Sequence, residues 1–157
     1  MDTSSEETES RAGMTSSHQV GRVLGLDVGE RRIGVALSDP LGLTAQRLTV
    51  LERRSAGEDV STVAALAAEH RAEAVVVGLP LTMKGLEGPQ AKLVRAFIEA
   101  LETRLSCPVH VVDERLTTVQ GERALLSTDA SRRKRKGLID QVAAQLILQS
   151  YLDAQKR

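Results

Sequence analysis

Residues 22–39, RVLGLDVGERRIGVALSD, carry the pattern that decides the fold. Two short apolar runs, VLGLDV and IGVALS, flank a polar link at residues 29–32. Runs of Val, Leu and Ile bounded by turn residues predict strands, and so short a link predicts an antiparallel hairpin. Asp27 stands inside the first run between Leu26 and Val28. A carboxylate there is buried or half-buried, which is costly unless it is paired, hydrogen-bonded or bound to a cation. Gly25, Gly29 and Gly34 leave room for another backbone, a metal ion or a phosphate to come close. Two roles suit Asp27 on this pattern: a seat for a metal ion, or a side chain that hydrogen-bonds the turn after it.

Outward from the hairpin, residues 42–51 read as a third strand, entered through the turn Pro40-Leu41-Gly42. Residues 58–70 have helical periodicity, with Val60, Val63, Ala64, Leu66 and Ala67 on one face. The Val-rich run 74–79 follows that helix and predicts a buried parallel strand. Residues 80–88 form a loop containing Lys84, and residues 90–105 an amphipathic helix with Leu93, Val94, Phe97, Ile98 and Leu101 inward. A strand at 109–113 precedes a helix capped by Thr117 or Thr118 and running to about Leu126. Residues 127–137 read as a polar loop holding Arg132, Arg133, Lys134, Arg135 and Lys136, and the last helix as 138–152. Residues 1–20, rich in Ser, Thr and Glu, predict a disordered tail before one domain at 21–157, with Met14 a second candidate start. The order βββαβαβαα predicts a mixed five-stranded sheet with helices on both faces, the ribonuclease-H-like arrangement. Strand one lies centrally in it, and the carboxyl ends of the parallel strands form the working edge.

A chain of 157 residues can bury a real core, and with Phe97 and Tyr151 as its only aromatics that core is aliphatic. The same scarcity argues against an aromatic platform for stacking bases, so any nucleic-acid contact runs through phosphates. Formal charge is zero, yet the first twenty residues are acidic, leaving twenty basic against seventeen acidic residues from position 21 onward. Cys107 stands alone, so no internal disulfide forms, which fits a reducing cytoplasm. No apolar run is long enough for a membrane helix, and the N-terminus lacks a signal-peptide pattern.

Three acidic positions fall where elements meet the working edge: Asp27, the pair Asp113 and Glu114, and Asp140 in the first turn of the last helix. Neighbours on a regular strand point to opposite faces, so at most one of Asp113 and Glu114 faces Asp27; Glu114, with the longer reach and leading into the helix, is the better candidate. Asp140 either complements a helix dipole or serves the site, since Ala143, Ala144 and Ile147 mark its side of the helix as packed. Converging carboxylates repel one another, and a divalent cation removes the repulsion; oxygen-only ligands favour Mg²⁺ or Mn²⁺. The three histidines show no ligand spacing, and with a lone cysteine there is no zinc set. Metal-activated water cleaves phosphodiesters without a nucleophilic side chain. The run Arg132 to Lys136 suits a polyphosphate backbone or a solvated loop, and Lys84 and Arg115 are weaker candidates for the same contact.

The segments GRVLGLDVGERRIGVALSD, VVVGLPLTMKGLEGPQ, VDERLTT and KGLIDQVAAQLILQSYL, in this order, resemble the YqgF (RuvX) family over roughly residues 21–153. The resemblance implies a ribonuclease-H-like fold, metal-ligating catalytic acids at Asp27, Glu114 and Asp140, and nuclease activity. The family is described both as a Holliday junction resolvase and as a nuclease maturing the small-subunit ribosomal RNA precursor. The expected partners are a structured rRNA precursor, with ribosomal particles, or branched DNA, for a monomer or homodimer in the cytoplasm. The loop containing Gly78, Leu79, Pro80 and Gly85 keeps the family pattern, whereas the arginine-rich stretch before Lys136 and the acidic tail look like local elaborations. GLDVGERRIG also resembles the phosphate-binding hairpin of actin-like ATPases and sugar kinases, which need a second domain too large for this chain. A non-catalytic RNA-binding factor of ribosome assembly is the remaining alternative.

Overall fold

A computed structural model of the chain describes residues 21–117, 119, 123 and 132–156. The opening hairpin is β1 (Arg22–Val28) and β2 (Arg32–Ser38), followed by β3 (Ala45–Glu52), α1 (Ala56–Glu69) and β4 (Ala72–Leu79). Helix α2 (Pro89–Arg104), β5 (Val109–Asp113), a 3₁₀ turn (Glu114–Leu116) and α3 (Arg132–Gln155) complete the described chain. The strands form one sheet in the order β3-β2-β1-β4-β5. Strands β1 and β2 and strands β2 and β3 pair antiparallel, whereas β1 and β4 and strands β4 and β5 pair parallel. The hairpin, the mixed five-stranded sheet and the central first strand match the ribonuclease-H-like expectation. Among the described residues no helix is long and apolar enough to cross a membrane.

Alternation along β1 assigns its two faces. Leu24, Leu26 and Val28 pack with Val60, Val63, Val94, Phe97, Ile98 and Leu101 under α1 and α2. Val23 lies on the other face, packed with Ala74, Val76, Ala143, Ala144, Ile147 and Leu148 under α3. Gly25 and Asp27 share that second face by the two-residue period of a strand. The α3 face is paved with small residues, and the reason is close approach. A Cβ on Gly25 would lie 2.7 Å from Leu148 Cβ, and one on Gly34 would lie 2.0 Å from the Asp140 carbonyl oxygen. The room around these glycines is therefore filled by α3, by the Leu148 side chain at Gly25 and by helix backbone at Gly34. Gln145 and Gln149 lash α3 to the sheet edge: Gln145 Nε2 donates to Ala45 O, and Ala45 N donates to Gln149 Oε1, each at 2.9 Å.

Three element starts and one side-chain orientation depart notably from the expectation. The third strand begins at Ala45, not residue 42, because Asp39 captures the preceding segment by accepting from the backbone N–H groups of Leu41, Leu43 and Thr44. The first helix begins at Ala56, two residues earlier than expected, where the Ser55 hydroxyl caps the Glu58 N–H. Leu93 is 62% exposed rather than inward, because it lies at the margin of the stripe formed by Val94, Phe97, Ile98 and Leu101. The last helix begins at Arg132, so the basic run is helical, not a loop; Arg and Lys are good helix formers and Gly137 does not stop them. The expected tail at residues 1–20 and the side chains of Arg132, Arg133, Lys134, Arg135 and Lys136 lie outside the described residues. So does most of the expected helix to Leu126, of which Val119 and Arg123 are described.

Candidate active site

Register places the first acid. Asp27 is paired with Gly34 of β2, and Leu26 with Val77 of β4, so Asp27 is flanked by two glycines, Gly34 and Gly78. Gly34 admits the Asp140 backbone. Gly78 admits Ile147 and Glu114, whose atoms would lie 2.4 and 2.9 Å from an added Cβ. These two absent side chains let α3 and the end of β5 close over Asp27.

The 3₁₀ turn resolves the choice between neighbouring acids. The Asp113 carboxylate caps it by accepting from Arg115 N at 2.9 Å, while Thr117 N and Oγ1 donate to Glu114 O. Asp113 is thereby turned toward Arg115, whose Nη2 lies 2.6 Å from its Oδ2, and this bonding holds its carboxyl below the usual range. Glu114 is turned inward and is buried.

Asp27, Glu114 and Asp140 line one cavity of about 240 Å³ together with Val28, Gly29, Pro80, Gln90 and Arg123. Lys84 and Arg115 are outside that lining. Arg123 donates from Nη2 to Asp27 Oδ1, and from Nη1 to Glu114 Oε1 at 2.8 Å. Asp140 turns to Arg32, whose Nε donates to Oδ2 at 2.9 Å. Burial pushes the Asp27 carboxyl up to about 7; the nearby Glu114 and Asp140 charges add to the rise and the Arg123 guanidinium opposes it. Burial works against the Arg123 charge, but the Asp27 and Glu114 carboxylates outweigh it and raise its pKa.

The cation meeting the buried carboxylates is thus a side chain of the protein. Arg123 and Arg32 were not among the residues singled out from the sequence. The demand for counter-charge at Asp27 was readable, but no spacing pointed to partners 96 residues from Asp27 and 108 from Asp140. As they stand, no three Asp, Glu, His or Cys side chains among the described residues are set to hold a metal ion. The donor chemistry nevertheless fits a hard divalent cation, being oxygen-only and held on rigid elements, with two of the three carboxylates buried. The guanidinium at Asp27 and Glu114 already fills the electrostatic role such an ion would take.

The family model described as "RuvX: Holliday junction resolvase" matches residues 21–154. The chain belongs to the RuvX family. It is 54% identical over 132 residues to a Moorella thermoacetica protein provisionally named a pre-16S rRNA nuclease, covering 84% of this chain and 94% of that one. A Halothermothrix orenii protein with the same provisional name is 49% identical over 136 residues, covering 87% and 97%. Among solved structures, Thermus thermophilus RuvC in complex with a Holliday junction substrate superposes with a TM-score of 0.56. That match has 16% identity and covers 87% of this chain and 96% of RuvC. At that identity the likeness concerns the fold, and it is the ribonuclease-H-like fold described above.

Proposed function

We propose that this RuvX-family chain is a cytoplasmic, divalent-metal-dependent endonuclease that trims the 5′ end of the pre-16S rRNA. The observation that carries the reading is the single cavity lined by Asp27, Glu114 and Asp140, built from β1, the end of β5 and α3. The names of the relatives at about half identity supply the substrate. Asp27, Glu114 and Asp140 would hold Mg²⁺ or Mn²⁺, which when bound supplies an activated water and stabilises the leaving oxygen. The sheet fixes Asp27, and the capped 3₁₀ turn fixes Glu114, so neither carboxylate has to be ordered when substrate arrives.

The basic run supports a polyanionic partner in a second way. Arg132, Arg133, Lys134, Arg135 and Lys136 occupy the opening turns of α3. Cations at a helix N-terminus oppose the helix dipole, and a phosphate backbone lying there offsets both charges. Lys84 and Arg115 would extend this contact along the substrate, Arg115 after exchanging Asp113 for a phosphate.

The test is cleavage of a precursor rRNA fragment with Mg²⁺ or Mn²⁺, comparing wild type with Asp27→Asn. Loss of cleavage in the variant is expected; equal rates would remove Asp27 from the chemistry and the reading with it. The family description favours a second reading, resolution of four-way DNA junctions by the same cavity. That activity requires a symmetric dimer making paired cuts, so light scattering with cut mapping on a synthetic junction separates the two.

A further inference from the structure

One guanidinium bridges the two most buried acids of the cavity, with Nη2 on Asp27 and Nη1 on Glu114. The three partners are not equally free to move. The Asp27 and Glu114 side chains are 4% and 2% exposed, whereas that of Arg123 is 33% exposed. The acids are held by a central strand and a capped turn, and Glu114 lies close against Gly78. Arg123, a third exposed on a long, flexible stem, is the partner that can withdraw without unpacking the core. It carries one positive charge against two carboxylates.

We propose that Arg123 is an exchangeable counter-ion: a divalent cation must displace its guanidinium from Asp27 and Glu114, and the released fork then takes a phosphate of the substrate. This rests on the reading above that these acids hold the metal. Both cations need the same carboxylate oxygens, so the protein binds metal only in the fraction of molecules whose Arg123 has swung out. Apparent affinity is reduced by that fraction. Once out, the planar fork at the cavity mouth matches phosphate oxygens in pairs, a geometry lysine cannot copy.

Substitution of Arg123 is then expected to act in opposite directions on two ligands. Titration calorimetry with Mn²⁺ alone is run on wild type, Arg123→Gln, Arg123→Lys and Asp27→Asn, each checked for folding by circular dichroism. Arg123→Gln is expected to bind Mn²⁺ at least tenfold more tightly than wild type, Arg123→Lys to fall between them, and Asp27→Asn to lose binding. In steady-state cleavage Arg123→Gln is expected to raise KM for precursor rRNA about tenfold, with a smaller change in kcat. If Asp27→Asn loses Mn²⁺ but Arg123→Gln binds it no more tightly than wild type, the exchange is refuted while the metal site stands. If Asp27→Asn keeps wild-type affinity, the exchange and the proposed metal site fall together. An unchanged KM with tightened Mn²⁺ binding overturns the hand-over to phosphate. Should Arg123→Gln fail to fold, Arg123→Lys decides the matter, and Mn²⁺ affinity equal to or weaker than wild type in that variant refutes the exchange.

Discussion

Adding one methyl group at Gly34 should unseat the helix that delivers Asp140. The Cβ of Gly34→Ala would lie 2.0 Å from the Asp140 carbonyl oxygen and 2.3 Å from its carbonyl carbon. Real Cβ contacts essentially never fall under 3.0 Å, so the gap must open by at least 1 Å. The obstacle is helix backbone, which cannot rotate away as a side chain would. Relief has to come from tilting α3 off the sheet or bending β2, both of which loosen Ala143, Ala144, Ile147 and Leu148. Overpacking of a filled core costs about 1–3 kcal/mol, and a clash with backbone at the packed face belongs at the upper end. We expect a loss of about 3 kcal/mol in urea denaturation without divalent ions, and reduced cleavage because Asp140 is carried away from Asp27. Gly57→Ala is the matched control: nothing lies within 4 Å of its added Cβ, and the residue is in the first turn of α1. Relieved of glycine's entropy, that variant should gain up to about 0.5 kcal/mol. A Gly34→Ala protein as stable as wild type would refute the claim that close backbone packing positions Asp140.

Asp27 should make stability depend on pH in the direction opposite to an ordinary surface carboxylate. Its folded pKa of about 7 lies above the ordinary value of 3.8, so the folded state holds the proton more tightly. The contribution is fully present below pH 4 and is lost as pH rises through 7, amounting to about 4 kcal/mol at about 1.4 kcal/mol per pH unit. Denaturation curves in chelator from pH 4 to 8 should show this decline in wild type and a much flatter profile in Asp27→Asn; parallel profiles would contradict the burial argument. Ile147→Ala should cost about 3 kcal/mol in the same denaturation assay, since Ile147 is fully buried against Gly78 and the cavity left beside rigid strands cannot collapse. A loss under about 1 kcal/mol would show the α3 face to be loosely packed.

Much of the fold was readable because strands and helices write their periods into the chain. The two-residue alternation of β1 and the helical stripe of Val94, Phe97, Ile98 and Leu101 needed no knowledge of neighbours. Hydrophobic periodicity places the start of β3 too early, because it does not record the Asp39 carboxylate competing for backbone N–H groups. The outward position of Leu93 follows from its place at the margin of its helix stripe, and the early start of α3 from the helix propensity of Arg and Lys, which a reading of the charge run as a loop overlooks. For the site, the chain itself marked Asp27 as an acid needing compensation and Asp140 as an acid on a packed helix face. It could not choose the compensating charges, because electrostatic pairing acts through space and Arg123 and Arg32 are far away in sequence. That Asp27, Glu114 and Asp140 share a cavity was decided by tertiary structure alone. It depends on register, which sets Gly34 and Gly78 beside Asp27, and on the short distances their missing side chains allow. A linear sequence specifies which groups are present and how each segment tends to fold; only packing sets the separations on which charge interactions depend.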